Sequence, residues 1–295
     1  MNFKEVLLVV NPISGDSNKK YIINTTQEKV KEQGANFHLF TTTGTNDIEK
    51  IRQRIAENNI ERVLVAGGDG TINLVAEAIK DMDISMGIIP AGSANGLAVN
   101  LQLPENVEDQ VNIALGDKSI KMDLVCLNDI ICLHISDLGI NAELIKNYDE
   151  SSIRGKMGYL IQSIPTLIKS NYPFHFNIRT PEGTKETEGI LLGIANAQKY
   201  GTGANVNPGG KVTDGKFEIL IFKKFSFSEI LKTLRNETDF DPEVIEIFST
   251  DEAVITCKKP VAFQIDGEYI GESTEVKVNI LPQKLQILVP ENFIE

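Results

Sequence analysis

The amino-acid sequence predicts an α/β N-terminal domain with a mostly parallel sheet, followed by a β-rich C-terminal domain with an antiparallel sandwich. Strand and helix signals alternate along roughly the first 120 residues, as they do in parallel sheets covered by helices. Beyond that point short strands separated by turn residues dominate, which is typical of an antiparallel sandwich or barrel. The chain of 295 residues is long enough to bury a core in each domain.

Strands and helices follow one another regularly in the N-terminal domain. The run Val6–Val10 is apolar throughout, as expected for a parallel strand buried on both faces. Further strands are predicted at Phe37–Phe40, Arg62–Ala66 and Met86–Ile89. Helices are predicted at Lys19–Gln33, from the N-cap Asp47 to about Glu57, and at Thr71–Lys80.

The C-terminal domain is predicted to consist mainly of short strands. These are Lys121–Leu127, Ile131–Ile135, Phe174–Arg179, Glu188–Ala195, Phe217–Phe222, Glu252–Cys257, Val261–Ile265, Glu275–Ile280 and Leu285–Val289. Two helical segments interrupt them, at Lys156–Lys169 and Ser226–Arg235. We place the domains at residues 1–122 and 123–295, with the option that the last strand, about residues 284–295, returns to the N-terminal domain.

Composition restricts the class of protein. The formal net charge is −12, with 41 acidic and 29 basic residues, which argues against nonspecific nucleic-acid binding because that requires a basic surface. No apolar run has the length of a transmembrane segment, and Lys4 and Glu5 interrupt the first apolar stretch, so no signal peptide is predicted. Three cysteines without a CxxC pair suit reduced thiols. We therefore expect a cytoplasmic protein, with peripheral attachment to a membrane left open.

The strongest motif is Gly67-Gly68-Asp69-Gly70-Thr71, which follows a buried strand and opens a helix. Glycines let the backbone approach an anion, and the N–H groups of a helix N-terminus favour phosphate. Asp69 in such a loop could hold Mg²⁺, orient a hydroxyl group or act as a base. Taken alone, the motif fits an ordinary glycine turn with Asp69 as a helix cap equally well.

Two more loops of small residues follow predicted strands. They are Asn11-Pro12-Ile13-Ser14-Gly15 and Pro90-Ala91-Gly92-Ser93-Ala94-Asn95-Gly96. In an open parallel sheet, ligands bind beyond the carboxyl ends of the strands, so the three loops together predict a phosphate cradle. Asn11 could hydrogen-bond a base or a ribose. The hydroxyl groups of Ser14, Thr42 and Ser93 could reach phosphate oxygens.

The order of these loops resembles the catalytic domain shared by diacylglycerol kinases, sphingosine kinases and ceramide kinases. The match extends to Lys121-Met122-Asp123-Leu124, Gly139-Ile140-Asn141-Ala142, Asn207-Pro208-Gly209-Gly210, Thr213-Asp214-Gly215 and Gln264-Ile265-Asp266-Gly267-Glu268, and so covers nearly the whole chain. The resemblance implies the fold that this family shares with NAD kinases. It also implies ATP-dependent phosphorylation of a lipid hydroxyl group at a membrane surface, with diacylglycerol as the first expectation and a sphingoid base or ceramide as the alternative. A homodimer is compatible with it.

The resemblance also assigns roles to residues. It implies an ATP site in the cleft between the domains, formed by Asn11, Pro12, Ser14, Gly15, Thr42, Gly67, Gly68, Asp69, Gly70, Thr71, Gly92, Ser93 and Asn95. It implies that Asp69, Asp266 and Glu268 carry the acid–base chemistry, with Asp69 and Glu268 as alternative proton acceptors. A structural Mg²⁺ is implied at Asp214, with backbone oxygens from Lys211 and Lys216, and Asp123 is implied to bind substrate.

Two alternatives to a lipid kinase stay open. NAD kinases also contain Gly-Gly-Asp-Gly-Thr, but the Asn11–Gly15 loop and the turn Asp266-Gly267-Glu268 favour the lipid-kinase branch. A nucleotide-binding regulatory module without catalysis is the other alternative. Gly96 supports it, because diacylglycerol kinases usually have an aspartate there, whereas sphingosine-kinase-like sequences have a small residue. Taken alone, Asp266-Gly267 and Asp214-Gly215 would be plain turns.

Overall fold

A computed structural model describes residues 3–15, 17–93, 95–149, 172–199, 204–235 and 237–295. The predicted helix Lys156–Lys169 lies outside these residues. The chain divides into two compact units, which are residues 1–123 with 282–295 (unit 1) and residues 124–281 (unit 2). Among the described helices, none combines the length and the apolar character needed to cross a membrane.

The strands and helices are numbered along the chain. The strands are β1 (Glu5–Val10), β2 (Asn36–Thr41), β3 (Arg62–Gly67), β4 (Ser85–Pro90), β5 (Ser119–Leu127), β6 (Ile130–Cys132), β7 (Ile135–Gly139), β8 (Phe174–Thr180), β9 (Gly183–Gly189), β10 (Leu191–Ala195), β11 (Phe217–Phe222), β12 (Ile245–Thr250), β13 (Glu252–Ile265) and β14 (Glu268–Leu288). The helices are α1 (Lys19–Glu32), α2 (Asp47–Asn58), α3 (Asp69–Ile79), α4 (Gly96–Asn100), α5 (Val107–Ala114), α6 (Ile140–Asp149) and α7 (Phe227–Leu234).

Unit 1 is built around a parallel sheet with the strand order β2–β1–β3–β4. The C-terminal end of β14 adds a fifth parallel strand, where Gln286 and Ile287 pair with Ser85 and Met86. Every residue of β3 is buried, as expected for a central strand with helices on both faces. One cluster of buried side chains joins β1 and β3 to α1 and α5, and α2 packs against α3.

Arg62 is the charged exception in this sheet. Its side chain is 8% exposed and donates to the carbonyl oxygen of Gly116 at 2.8 Å, just beyond the end of α5. The guanidinium also stacks on the ring of Phe3 at 4.0 Å. Burial lowers the pKa of Arg62 to about 10, while the nearby Asp117 acts in the opposite direction. The arginine therefore stays charged and links β3 to the segment that follows α5.

Unit 2 contains an antiparallel sheet with the strand order β12–β11–β10–β7–β13–β14, and β8 pairs with both β13 and β9. Alternate residues of these strands form one apolar core, as the two-residue period of a strand requires. Phe217, Ile219 and Ile221 of β11 show the alternation and are fully buried. The predicted fold class, a parallel α/β half followed by a β-rich half, is confirmed.

Several strands of the C-terminal domain were predicted with wrong limits. The predicted strands Glu252–Cys257 and Val261–Ile265 form the single strand β13. The predicted strands Glu275–Ile280 and Leu285–Val289 fall in the single strand β14, which ends at Leu288.

Two other predicted strands of unit 2 are divided. The predicted strand Glu188–Ala195 is divided at Ile190, because β9 pairs with β8 whereas β10 pairs with β7 and β11. Gly189 permits the break, since a Cβ there would lie 2.8 Å from the carbonyl oxygen of Phe222. The predicted strand Ile131–Ile135 is divided as well. The N–H groups of Leu133 and His134 donate to the carboxylate of Asp266 and not to a neighbouring strand.

The predicted N-cap Asp47 is also wrong by one position. Asp47 is the first residue of α2, and the N-cap is Asn46 in the left-handed conformation without a side-chain hydrogen bond. The Asp47 carboxylate instead accepts from the N–H groups of Thr43 and Gly44 in the loop before the helix. The side chain of this aspartate thus fixes a loop rather than satisfying the free N–H groups of the helix.

Candidate functional site

Three loops of unit 1 lie at the carboxyl ends of neighbouring parallel strands. The first loop (residues 11–15) follows β1, the second loop (residues 67–68) ends β3, and the third loop (residues 90–93 and 95–96) ends β4. This edge of a parallel sheet is where ligands bind in open α/β folds. The sequence predicted these three loops together, and the structure places their backbones in direct contact.

The contact between the loops depends on glycine. Gly15 has a φ of +51°, and a Cβ on it would lie 2.7 Å from the carbonyl oxygen of Ala91. A Cβ on Gly92 would lie 2.4 Å from the Cα of Gly68. The N–H of Ala91 donates to the carbonyl oxygen of Gly67 at 2.8 Å. The third loop therefore touches both of the others, and side chains at these glycines would force the loops apart.

Asn11 and Thr71 connect the first loop to α3. The Asn11 amide donates to Thr71 Oγ1 at 3.2 Å, and its Oδ1 accepts from the N–H of Ile13 at 3.1 Å. Ser14 Oγ donates to the carbonyl oxygen of Asn11 at 3.1 Å. Both ends of the Asn11 amide are thus engaged inside the protein, so the residue shapes the first loop. The side chain of Ser93, in contrast, is exposed.

Asp69 is the first residue of α3 and binds the start of another helix. Its Oδ2 accepts from the N–H of Gly96 at 2.8 Å, and its Oδ1 accepts from the N–H of Leu97 at 3.1 Å. A carboxylate at this place satisfies two N–H groups of α4 that have no partner within that helix. The N-cap of α3 is Gly68, which has extended backbone and no side-chain cap. Asp69 therefore holds the third loop in place, whatever further role it has.

The loop after β2 contains the predicted ligand residue Thr42. Its N–H donates to the carbonyl oxygen of Val10 at 2.9 Å, which ties it to the end of β1. Asp47 fixes the following residues and is 4% exposed. Burial alone would raise the pKa of Asp47, but hydrogen bonds from Thr43 and Gly44 outweigh it and hold the pKa below its ordinary value.

Sequence reasoning overlooked Lys19, the first residue of α1. Its ammonium group lies 2.6 Å from the carbonyl oxygen of Ser14, 3.0 Å from Ser17 Oγ and 2.9 Å from the carbonyl oxygen of Ala91. The lysine thus bridges the first and third loops. A lysine near the start of a helix carries no signal of this role in the sequence, because the bridge joins positions 72 residues apart.

In unit 2, the predicted catalytic residue Asp266 is 7% exposed. Its carboxylate accepts from the N–H of Leu133 at 2.7 Å, from the N–H of His134 at 3.0 Å and from the N–H of Ile135 at 3.3 Å. It also accepts from the thiol of Cys132 at 3.2 Å and lies 2.7 Å from Nδ1 of His134. These donors occupy the carboxylate oxygens, so Asp266 anchors its turn to the segment between β6 and β7.

The pKa of Asp266 reflects this environment. Burial would raise it, but the charge of His134 and the hydrogen bonds from Leu133 and His134 hold the pKa well below its ordinary value. Burial and the neighbouring Asp266 raise the pKa of the Cys132 thiol well above its ordinary value. The group is therefore a carboxylate facing a neutral thiol. In contrast to Asp266, Glu268 is exposed at the start of β14.

A second buried network lies beside this turn and was not predicted. Asp137 Oδ2 accepts from the amides of Asn141 and Gln264, each at 2.6 Å. Gln264 Oε1 in turn accepts from the N–H of Gly267 at 2.7 Å. Asp137 and Gln264 are 0% and 1% exposed, so these polar groups depend on one another. The network holds Gly267, the residue before Glu268.

The predicted metal residue Asp214 is exposed and its Oδ1 accepts from the N–H of Lys216 at 3.0 Å. Burial raises the pKa of the neighbouring Glu218, and the negative charge of Asp214 adds to the rise, while hydrogen bonds from Asn207 and Ser249 oppose it. Within the described ranges, no group of three or more His, Cys, Asp or Glu side chains could hold a metal ion. The oxygen atoms at Asp214 fit Mg²⁺ only where carbonyl groups and water supply the other ligands.

Asp123, predicted to bind substrate, is fully buried. Its Oδ1 accepts from the N–H of Gln283 at 2.7 Å, and Gln283 has a φ of +53°. The carboxylate thus fixes a bend in β14 close to the point where that strand passes from unit 2 to unit 1. This contact gives Asp123 a structural role, and a role in substrate binding stays a prediction.

Comparisons with known proteins agree in both halves of the chain. Residues 5–127 match the model of the diacylglycerol kinase catalytic domain. Residues 135–289 match the model of the YegS C-terminal NAD kinase beta sandwich-like domain.

Relatives align over most of their length. A protein of Enterobacter sp. (strain 638) named "Probable lipid kinase YegS-like" is 23% identical, and the alignment covers 98% of this chain and 97% of the relative. A protein of the same name from Chromohalobacter salexigens is 26% identical, with 89% and 87% covered. The solved structure titled as a diacylglycerol kinase from Bacillus anthracis str. Sterne has a TM-score of 0.78 at 16% identity, with both chains fully covered, and so shares the fold.

Proposed function

The chain belongs to the family with a diacylglycerol kinase catalytic domain followed by a YegS-type C-terminal domain, and from this membership we infer that it is an ATP-dependent lipid kinase. We propose that it transfers the γ-phosphoryl group of ATP to a lipid hydroxyl group, with diacylglycerol as the first candidate acceptor. The observation that carries this proposal is the backbone contact between three glycine-containing loops at the carboxyl edge of a parallel sheet.

The three loops supply what a triphosphate needs. Phosphoryl transfer requires little covalent help from a protein, because catalysis depends mainly on positioning and on stabilising the charge of the phosphates. Gly15, Gly68 and Gly92 let the loop backbones pack directly against one another, and each of the three is at least partly exposed, so they present backbone without side chains to phosphate oxygens. The start of α3, where no side chain caps the helix, favours an anion through its N–H groups and partial positive charge.

Two carboxylates are candidates for the base that accepts the proton of the lipid hydroxyl group. Glu268 is exposed and lies on a turn fixed by Asp266 and by the Gln264 amide. Asp69 already accepts two backbone hydrogen bonds, which leaves it fewer lone pairs for a hydroxyl proton. We therefore propose Glu268 as the base and Asp69 as a residue that orients the third loop. General-base help is typically worth about 10²- to 10⁴-fold in rate.

Magnesium enters the proposal in two ways. Mg²⁺ bound with ATP would supply positive charge to the triphosphate, and a structural Mg²⁺ would be held by Asp214 with carbonyl oxygens of Lys211 and Lys216. In the transfer itself, the oxygen of the lipid hydroxyl group forms a bond to the γ-phosphorus, and the bond between that phosphorus and ADP breaks. The proton of the hydroxyl group passes to the carboxylate of Glu268.

The proposal is tested by γ-labelled ATP in mixed detergent micelles that contain diacylglycerol, sphingosine or ceramide, with NAD offered separately in solution. We expect label in diacylglycerol. Label in another lipid would reassign the acceptor within the family, whereas label in NAD alone would make the protein a NAD kinase. Nucleotide binding without transfer to any acceptor would support a regulatory module.

Variants separate the two carboxylates. We expect Glu268→Gln to lower kcat by about 10²-fold or more, while Glu275→Gln, an exposed carboxylate on the same strand, leaves it unchanged. For Asp69→Asn we expect a large loss of turnover together with weaker ATP binding, because the third loop loses an anchor. Asp83→Asn removes an exposed charge in unit 1 and serves as its control. Full turnover in Glu268→Gln with none in Asp69→Asn would instead make Asp69 the base.

A further inference from the structure

We propose that Lys19 is a positioning residue of the nucleotide site, which holds the first and third loops at the separation that ATP requires. This inference rests on the proposed function and concerns a residue outside the motifs that suggested it. Lys19 lies at the first position of α1, a few residues beyond Gly15, where the first loop ends.

The contacts of Lys19 are directed at the backbone of the loops. Its ammonium group has three N–H donors, and three oxygens lie within hydrogen-bonding distance, on Ser14, Ser17 and Ala91. The donors are therefore committed to the protein, so Lys19 acts through the loops and does not contact phosphate. Hydrogen bonds from a charged donor are stronger than neutral ones, which makes this bridge more than an incidental surface contact.

Ala91 is the residue of the third loop that Lys19 binds. Its carbonyl oxygen accepts from Lys19 and from Ser17 Oγ at 3.1 Å, and its N–H donates to the carbonyl oxygen of Gly67. A Cβ on Gly15 would lie only 2.7 Å from the same carbonyl oxygen. Ala91 of the third loop is thus hydrogen-bonded to the second loop directly and is connected to the first loop through Lys19, which also binds Ser14.

The stability of α1 does not explain a lysine at this position. Cations near a helix N-terminus oppose the helix dipole, and the first turn of α1 contains no acidic residue. Asn18 already caps the helix by accepting from the N–H of Tyr21 at 3.1 Å. The hydrogen bonds from Lys19 to the loop oxygens offset its unfavourable interaction with the helix dipole. The adjacent Lys20 is exposed. The comparison between these two lysines provides the test.

The test measures binding of Mg²⁺–ATP to the full chain by calorimetry, without any lipid. We expect Lys19→Met, which keeps an unbranched side chain of similar size without the charge, to raise the Kd about tenfold or more, since it removes a charged donor from three oxygens. The matched variant Lys20→Met removes the same charge one residue away and is expected to stay within about twofold of the wild type. Lys19→Arg should restore part of the affinity because it keeps a charged donor.

Steady-state kinetics distinguishes positioning from general destabilisation. We expect Lys19→Met to raise the KM for ATP and to leave the KM for the lipid acceptor unchanged, with an unchanged midpoint of urea unfolding. If Lys19→Met does not fold, Ser17→Ala removes the other side-chain donor to Ala91 from an exposed position, and about a twofold to fivefold rise in Kd is expected.

Three results would overturn the inference, and they differ in what else they overturn. Equal affinity of Lys19→Met, Lys20→Met and the wild type would remove the role of Lys19 and leave the proposed kinase function intact. Failure of the wild type to bind Mg²⁺–ATP would remove both. An equal rise of the two KM values would assign Lys19 to the stability of the fold alone.

Discussion

At the scale of single residues, Asp266 illustrates how a buried carboxylate can be kept ionised. Its oxygens lie next to three backbone N–H groups, one thiol and the Nδ1 atom of His134. Removing a charge from water costs free energy, and all of these donors together are needed to offset that cost. Because Ile265 and Glu268 pair directly across the turn, the position of Glu268 depends on the same set. The buried aspartate thus stabilises the turn that carries the proposed base.

Asp266→Asn is expected to lower the free energy of unfolding by about 3 to 5 kcal/mol near neutral pH, because it removes the buried charge that the backbone N–H groups of Leu133, His134 and Ile135 bind. The pKa of Asp266 is lower in the folded than in the unfolded chain, where it is about 3.9. Its stabilisation is therefore fully present above about pH 4 and is lost as the pH falls below that value. Urea unfolding at several pH values should show that the difference in unfolding free energy between Asp266→Asn and the wild type becomes smaller below about pH 4.

The exposed Asp251 provides the control for this measurement. Asp251→Asn is expected to change the free energy of unfolding by less than about 0.5 kcal/mol at every pH. If the difference in unfolding free energy between Asp266→Asn and the wild type did not vary with pH, the charge of Asp266 would not be the source of the stabilisation.

At the scale of elements, the three loops act as one unit because glycine backbones replace side chains at their contacts. The Cβ that Gly92→Ala adds would lie 2.4 Å from the Cα of Gly68, so one loop must move. We expect Gly92→Ala to lower the free energy of unfolding by about 1 to 3 kcal/mol, as overpacking does, and to weaken ATP binding. Urea unfolding and calorimetry measure the two effects.

Gly209→Ala is the matched control, because a Cβ there meets no atom within 4 Å. Its unfolding and its affinity for ATP should be close to those of the wild type. If Gly92→Ala behaved like this control, the close approach of the second and third loops would have no energetic consequence.

Local signals predicted the loops better than the strand limits. A run such as Val6–Val10 followed by small residues shows both a buried strand and its end, so the first and second loops could be found from the sequence. The break at Ile190 could not, because nothing local indicates that β9 and β10 pair with different strands. The bonds from Asp69 to Gly96 and Leu97 were equally hidden, since they depend on the left-handed conformation of Asn95.

At the scale of the whole molecule, long-range contacts explain which site residues were overlooked. Lys19, His134 and Asp137 each bind partners more than 70 residues away in the sequence. Composition and periodicity describe a residue together with its neighbours and therefore do not indicate such partners. The aspartates and glycines of short motifs were found because turns and loops need particular residue types. Buried partners such as Gln264 satisfy polar groups of another strand and have no comparable pattern.

The fifth strand of the parallel sheet shows how distant parts of the chain stabilise one another. Ile287 is fully buried in β14 and pairs with Met86 of β4, although the two residues are far apart in the sequence. Ile287→Ala should lower the free energy of unfolding by about 2 to 5 kcal/mol, the usual cost of emptying a core position. Ile294→Ala truncates an isoleucine that is 79% exposed, and it should cost less than about 0.5 kcal/mol.

Hydrogen exchange measured by mass spectrometry locates the effect of Ile287→Ala. Because β14 covers the edge of β4, we expect faster exchange in the segment Ser85–Pro90 and unchanged exchange in β11, which lies in unit 2. Acceleration restricted to β11 would contradict the assignment of the end of β14 to unit 1. Equal acceleration of exchange in both segments would mean that the two units unfold together, so that Ile287→Ala destabilises both of them. The expected pattern, in contrast, requires that the units of this chain unfold with separate local stabilities.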